Sequence, residues 1–181
     1  MVHLDIEAQR ELLALARNTL ESFLATGKVP DYKPRRPELR QLAGAFVSLH
    51  CGDELRGCIG LIKPDGPLYR TVQRCAVSAA SEDYRFEPVS PQELAGVTLE
   101  ISVLSPLERA KDLSGITVGK HGLYVVRGQS RGLLLPQVAT DWEWDRETFL
   151  AQTCLKAGLD EDAWRDPATT IYQFQAQVFS E

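Results

Sequence analysis

The sequence predicts an α+β fold in which a mainly antiparallel sheet is flanked by helices. Candidate strands outnumber candidate helices, and several strands follow one another with only a turn between them. Strands joined by short turns pair antiparallel, whereas parallel strands need a long crossover. A regular alternation of strand and helix, which would indicate a doubly wound parallel sheet, does not occur along the sequence.

The elements are predicted from hydrophobic periodicity and from turn residues. Apolar residues recur with helical spacing from Asp5 to about Thr26, with Asp5 as the N-cap and Gly27 as the stop. Residues 45–50 and residues 55–62 each have the character of a strand, and the four residues between them form a turn. The two segments therefore predict a hairpin. A second helix is expected from Pro67, since proline suits the first helical turn and an apolar stripe follows it.

The second half of the chain predicts further strands and one more helix. Strict alternation predicts a strand over 97–103, with Glu100 on its polar face. Asp145 can cap a helix that runs to about Ala157. The remaining candidate strands are short or lie near the C-terminus: 116–118, 122–127, 133–135 and 171–179.

Length, charge and cysteine content narrow the class of protein. A chain of 181 residues can bury a real core as one domain or as two closely packed lobes. The formal net charge of −5 argues against non-specific nucleic-acid binding. No apolar run is long enough to cross a membrane, and the N-terminus is not signal-like. Four cysteines without disulfide or metal-ligand spacing predict a reducing cytoplasm and no metal site.

The stretch Leu-Arg-Gly-Cys-Ile-Gly carries the most specific chemical signal. In a strand, Arg56, Cys58 and Gly60 lie on one face. A fixed cation beside a thiol favours the thiolate, and a glycine on the same face leaves room for another group. We therefore expect Cys58 to be partly accessible with a lowered pKa, whereas Cys75 and Cys154 lie in apolar helical stripes and belong to the core. The alternative is that Cys58 only packs as a small apolar residue.

Other candidate site residues each have a structural alternative. Glu100 is a candidate general base if its face is shared with Cys58, and a solvated side chain otherwise. Arg85 is either a substrate-facing guanidinium or half of an exposed ion pair. His121, between Lys120 and a glycine, is either presented by a turn for proton transfer or an ordinary surface histidine.

Several motifs together resemble the AMMECR domain family, also known as protein A of the AmmeMemoRadiSam gene set. The matching segments are 55–60, 81–86, 119–123, 134–138 and 153–159, in the family's order and over nearly the whole chain. One departure is Asp141 before Trp142, where the family pattern has Glu. The resemblance implies a single AMMECR domain over 1–181, with a larger lobe of about 1–106 plus 141–181 and a smaller inserted lobe of about 107–140.

The resemblance implies a cytosolic accessory or catalytic component acting beside a Memo-like protein and a radical SAM enzyme, with no cofactor readable from the sequence. Three hypotheses stay open: an enzyme with Cys58 as nucleophile, a non-catalytic module that binds a nucleotide, RNA or a small anion, and a protein–protein adaptor. If the motifs mark one site, the residues from both lobes should converge on one concave surface. The catalytic candidates are Cys58, His121 and Glu100, and the substrate-binding candidates are Arg56, Gly57, Gly60, Arg85, Lys120, Gln137 and Trp142.

Overall fold

The computed structural model describes residues 3–181 and has a mixed α+β fold with two four-stranded sheets. The α-helices are α1 (Ile6–Thr26), α2 (Leu68–Ser81), α3 (Pro136–Asp141) and α4 (Arg146–Lys156). The strands are β1 (Ala45–Cys51), β2 (Glu54–Leu61), β3 (Val97–Leu104), β4 (Glu108–Arg109), β5 (Gly122–Arg127), β6 (Ser130–Leu134), β7 (Thr170–Phe174) and β8 (Ala176–Ser180). The predicted fold class, α+β with mainly antiparallel pairing, is confirmed.

Two compact units divide the chain. The first runs through Leu104 and takes in Gln177–Glu181, and the second comprises Ser105–Ala176. The sheet of the first unit has the strand order β2-β1-β3-β8, and that of the second has β4-β7-β5-β6. Sequence periodicity predicted one sheet, because alternation shows that a segment is a strand without showing its partners.

In the first unit, α1 and α2 cover one face of the sheet. The Asp5 carboxylate caps α1 by accepting a hydrogen bond of 2.8 Å from the Ala8 amide, and α1 ends at Gly27 with φ 72°. Both limits match the prediction. The side chains of Val47, Leu99 and Leu12 are fully buried in one apolar core. Residues that alternate with the core positions of β1 and β3 therefore lie on the other face of the sheet.

A β-bulge interrupts the β1–β2 hairpin. Leu49 pairs with Gly57, but the next residue, His50, pairs with Leu55, so Arg56 is the extra residue of β2. A bulge breaks the strict alternation of side chains and re-aims the residues next to it. The sequence could not reveal the bulge, because the apolar pattern continues through it.

The second unit has its own core, which includes Leu123, Phe149 and Cys154. The predicted helix from Asp145 is confirmed, and the Asp145 carboxylate accepts a bond of 2.8 Å from the Thr148 amide. Two strand predictions need correction. Residues 116–118 form no strand and instead lead into a turn, and 171–179 is divided into β7 and β8, because the pairing of each strand ends beside Gln175.

Arg17 ties the C-terminal residue to the rest of the first unit. Its guanidinium donates to the carbonyl oxygens of Leu94 at 3.0 Å and Val97 at 2.6 Å, and it pairs with the Glu181 carboxylate. The same carboxylate accepts from the amide of Leu99 at 3.1 Å. Since the Arg17 side chain is only 22% exposed, water does little to replace these partners when the side chain is removed.

We expect Arg17→Ala to lower the free energy of unfolding by about 2–3 kcal/mol, because several charge-assisted hydrogen bonds disappear together. Urea denaturation measures the change. The matched control is Arg10→Ala on the same helix, since Arg10 is 69% exposed and bonds only Glu7 among the described residues. That variant is expected to stay within about 0.5 kcal/mol of the parent. Equal effects of the two substitutions would contradict this role for Arg17.

Candidate functional site

Cys58 lies in a polar row that crosses three strands of the first sheet. On β1, Ser48 is directly opposite Cys58 of β2 and also opposite Glu100 of β3. Residues directly opposite one another have side chains on the same face, so the three polar groups share the face turned away from α1 and α2. The Ser48 hydroxyl donates to the Cys58 sulfur at 3.2 Å. The thiol proton of Cys58 is therefore left for another acceptor.

The Asp83 carboxylate and the Arg85 guanidinium clasp the outer edge of β2 at Cys58. Asp83 accepts the Cys58 amide at 2.9 Å and the Arg85 nitrogens Nε and Nη2 at 2.9 and 2.6 Å. Arg85 Nη2 also reaches the Cys58 carbonyl oxygen at 3.4 Å. An edge strand normally leaves such backbone groups unpaired, and here two side chains satisfy them.

Asp83 is the fixed point of this clasp. The residue is 4% exposed, and its hydrogen bonds with Arg85 outweigh burial and lower the carboxyl pKa to about 2. The Arg85 side chain is 41% exposed, and within the described residues its Nη1 makes no hydrogen bond. One edge of this guanidinium can therefore bind an anion while the other stays paired with Asp83.

Burial raises the pKa of the Cys58 thiol, although the Ser48 hydrogen bond and the charge of Arg85 act in the opposite direction. The charges of Asp83 and Glu100 raise it further. The prediction of a lowered pKa is therefore wrong. Cys58 carries its proton at neutral pH, and a protonated thiol is a poor nucleophile but an available hydrogen-bond donor.

The predicted role of Arg56 as the cation beside the thiol is also wrong. Its guanidinium donates to the carbonyl oxygen of Glu87 at 2.7 Å and to the Glu93 carboxylate at 3.3 Å. The physical reason is the bulge at Arg56, which removes it from regular alternation with Cys58. The nearby cation is Arg85 instead.

The two glycines of the motif serve close packing. A Cβ at Gly57 would overlap the carbonyl oxygen of Ala79 on α2, and a Cβ at Gly60 would overlap the Phe46 ring. The space that the sequence suggested beside Gly60 is thus filled by an aromatic ring from the neighbouring strand. The predictions of cysteine exposure are confirmed, since Cys58 is partly exposed and Cys75 and Cys154 are buried.

Four predicted site residues belong to the second unit. The His121 Nδ1 accepts a bond of 3.1 Å from the Thr117 amide, so the neutral ring carries its proton on Nε2. Burial and the Lys120 charge lower the pKa of His121, which makes it a neutral donor at pH 7. Trp142 is 69% exposed and stacks on Trp144, and Gln137 Oε1 is buried without a partner among residues 3–181. Their convergence with Cys58 stays a prediction.

Comparison with known proteins decides the family. The AMMECR1 family model matches residues 13–179. The chain belongs to the AMMECR1 family. A protein of Methanothermobacter thermautotrophicus is 48% identical, and the match covers 95% of this chain and 93% of that protein. Protein PF1979 of Pyrococcus furiosus is 42% identical, covering 94% of this chain and 86% of its own length.

A solved structure of a related protein has a similar fold. The crystal structure of the uncharacterized protein PH0010 from Pyrococcus horikoshii superposes with a TM-score of 0.90 at 42% identity. The match covers 94% of this chain and 89% of that one. This chain and that protein therefore share their fold, and the similarity carries no statement of activity.

The sequence did not predict three residues of the candidate site in this member of the AMMECR1 family. Asp83 lies two residues before Arg85, and an acidic residue so near a candidate arginine was a usable signal. Ser48 becomes a neighbour of Cys58 only through the strand register, which the sequence does not specify. His50 follows on the same face of β1, and its buried Nε2 has no hydrogen-bond partner within the described residues.

Within residues 3–181, no three His, Cys, Asp or Glu side chains are grouped so that they could hold a metal ion. Over the same residues, no helix combines the length and the apolar character that a membrane crossing requires.

Proposed function

We propose that this AMMECR1 protein is a ligand-binding accessory component that holds a small anionic molecule beside Cys58. The observation that carries the proposal is the Asp83–Arg85 clasp, which fixes a partly exposed guanidinium against the strand segment of Cys58. Arg85 supplies the charge, and the protonated Cys58 thiol supplies a neutral hydrogen-bond donor. A neutral donor suits an anionic ligand, because a thiolate would repel it.

The polar row supports binding more than nucleophilic catalysis. A catalytic thiol needs a base or a cation that stabilises its thiolate. Here burial is the main effect that raises the pKa of Cys58, the carboxylates of Asp83 and Glu100 add to it, and together they outweigh the Ser48 hydrogen bond and the Arg85 charge. In this proposal Glu100 accepts a hydrogen bond from a donor group of the ligand other than its anionic group, and the orphaned Nε2 of His50 marks unfilled hydrogen-bonding capacity on the same face.

The proposal places the protein in the cytoplasm beside a Memo-like protein and a radical SAM enzyme. The partners follow from the family's gene set and from nothing in the geometry. The compartment is supported by the four cysteines, all of which are free. Co-purification of the separately tagged proteins tests the association, and Arg10→Ala serves as a surface variant that should leave it unchanged.

Alkylation kinetics test the state of Cys58. We expect iodoacetamide to modify Cys58 more slowly than the exposed Cys51 at every pH from about 6 to 9, because the reactive thiolate of Cys58 is scarce. Peptide mapping by mass spectrometry separates the two sites, and Cys51 is the internal control in the same chain. Faster modification of Cys58 than of Cys51 near pH 7 would establish a stabilised thiolate and contradict the proposal.

Substitutions at the same position separate binding from nucleophilic chemistry. Thermal-shift titration with phosphate, pyrophosphate and small carboxylates provides the binding assay. Cys58→Ser keeps a neutral donor and should retain most of any anion-dependent shift, whereas Arg85→Gln should lose it. Loss of the shift in Cys58→Ser with retention in Arg85→Gln would overturn the assignment of the two residues.

A further inference from the structure

A second site lies on the helical side of the first unit, where residues 29–34 and helix α2 line two adjoining cavities. The larger has a volume of about 1110 Å³ and the smaller about 440 Å³. Four residues line both of them: Tyr32, Lys33, Pro67 and Tyr69. The site is separate from the Cys58 row, which faces away from α1 and α2, and the role proposed for Cys58 does not involve it.

The walls of these cavities are fastened to both helices. The Glu11 carboxylate on α1 accepts the Tyr32 hydroxyl at 2.8 Å and the Arg35 amide at 2.7 Å. On α2, the buried Gln73 side chain donates to the Pro30 carbonyl oxygen at 3.0 Å. A loop held at several points is already ordered before a ligand arrives, which reduces the entropy lost on binding.

Aromatic and apolar side chains form the wall between the cavities. The rings of Tyr32 and Tyr69 are 6.3 Å apart at an angle of 52°. Leu42 lines the smaller cavity and is 68% exposed, which is unusual for a large apolar side chain. A planar ring can lie against such a wall and gain stacking and burial.

The charges around the wall are unevenly distributed. Lys33 and Arg40 line the smaller cavity, and none of its lining residues is acidic. Arg70 adds a third cation from the larger cavity, beside the Tyr69 ring. The N-terminal turn of α2 adds partial positive charge, because within the described chain it has neither an acidic residue nor a side-chain cap to offset the helix dipole. The chain as a whole has a net charge of −5, so the positive charge of this pocket is a local concentration of cations.

The larger cavity also contains hydrogen-bond acceptors. Of its three carboxylates, Asp65 is already paired with Arg74 at 2.7 Å, whereas Asp31 and Glu82 make no salt bridge within the described residues. The smaller cavity thus presents cations without carboxylates, the aromatic wall is common to both cavities, and the larger cavity adds carboxylates beside further cations. A ligand that matches this distribution has an anionic group for the smaller cavity, a planar ring for the shared wall and a hydrogen-bond donor for the larger cavity.

We propose that the paired cavities bind a mononucleotide whose base carries an amino group. Lys33 and Arg40 hold the phosphate, the base lies against Tyr32 and Tyr69, and Asp31, which is next to Tyr32 in sequence, accepts from the amino group of the base. A nucleic-acid strand fits less well, because its successive phosphates would need an extended basic track and the chain is acidic overall.

Isothermal titration of the full-length protein with AMP tests the proposal. Three comparison ligands separate the recognised groups: adenosine lacks the phosphate, UMP lacks the amino group on the base, and inorganic phosphate lacks the base altogether. We expect saturable binding of AMP, at least tenfold weaker binding of adenosine and of phosphate, and weaker binding of UMP. Phosphate binding as tight as AMP would overturn base recognition, and binding of oligonucleotides with none of AMP would overturn the choice of a mononucleotide.

Matched variants locate the site. Lys33→Gln with Arg40→Gln removes two positive charges and keeps polar side chains, and it should weaken AMP binding at least tenfold. Arg10→Gln with Lys111→Gln removes the same two residue types elsewhere on the surface and should change little. Tyr69→Leu retains bulk and should weaken AMP more than phosphate. Equal effects of the two double variants, with unfolding midpoints unchanged, would place AMP outside these cavities.

Discussion

Replacing Gly57 with alanine is expected to destabilise the first unit by about 3 kcal/mol or more. The added Cβ would overlap the carbonyl oxygen of Ala79, and that atom belongs to the backbone of α2, which cannot move like a side chain. Relief of the overlap requires α2 to shift from β2. Such a shift would disturb core contacts along the helix, including those of Val72 and Ala76.

Urea denaturation measures this loss, and Gly66→Ala provides the control. Gly66 lies in the loop before α2, and no heavy atom within 4 Å would meet its Cβ. Its φ does not lie in the left-handed region either, so this alanine should change stability by less than about 0.5 kcal/mol. A small, similar effect at both glycines would show that α2 and β2 can separate at little cost, contrary to the close packing described.

Structural features that depend on residues close together in the sequence were predicted correctly, and features that depend on distant residues were not. The limits of α1 were predictable because Asp5 and Gly27 act through local capping geometry. The burial of Cys75 and Cys154 was predictable for a similar reason, since a helical stripe shows which face packs. Information of this kind lies within a few residues of the position concerned.

The candidate site depended on information that is not local. Predicting Arg56 as the partner of Cys58 assumed regular alternation, and a single bulge removed it. The actual cation, Arg85, is 27 residues away in sequence and reaches Cys58 only through the fold. Likewise, the pKa direction of Cys58 is set first by burial, which depends on everything that packs around the strand.

The role of each glycine in the motif also depends on atoms that are distant in the sequence. A glycine on a strand can leave space for a ligand or for the protein's own atoms, and the sequence does not distinguish the two. At Gly57 the space holds the α2 backbone, and at Gly60 it holds the Phe46 ring. Much of the Leu-Arg-Gly-Cys-Ile-Gly pattern is therefore explained by packing, and the chemical content is concentrated at Cys58 and in the clasp that meets it.

Replacing Asp83 with asparagine is expected to lower the free energy of unfolding by about 2–3 kcal/mol at pH 7. The substitution removes the charged partner of Arg85 and weakens the bond to the Cys58 amide, while the buried volume stays the same. The expected loss is at the lower end for a buried pair because the Arg85 side chain is 41% exposed. The matched control is Asp65→Asn, which breaks an exposed pair with Arg74 and should cost less than about 0.5 kcal/mol.

The same pair predicts how the difference between parent and Asp83→Asn depends on pH. The folded pKa of Asp83 is about 2, below its ordinary value of 3.8, so ionised Asp83 stabilises the fold fully above about pH 4 and progressively less as the pH falls towards 2. A difference of one pKa unit corresponds to about 1.4 kcal/mol, so protonation of Asp83 in acid should lower the parent's free energy of unfolding by about 2 kcal/mol. Urea denaturation of both proteins between pH 7 and 2.5 should therefore show their stabilities converging in acid, while titration of the other carboxyl groups cancels in the comparison. A difference that stays constant down to pH 2.5 would mean that the Asp83 charge does not hold the clasp, and the binding role proposed for Arg85 would lose its structural basis.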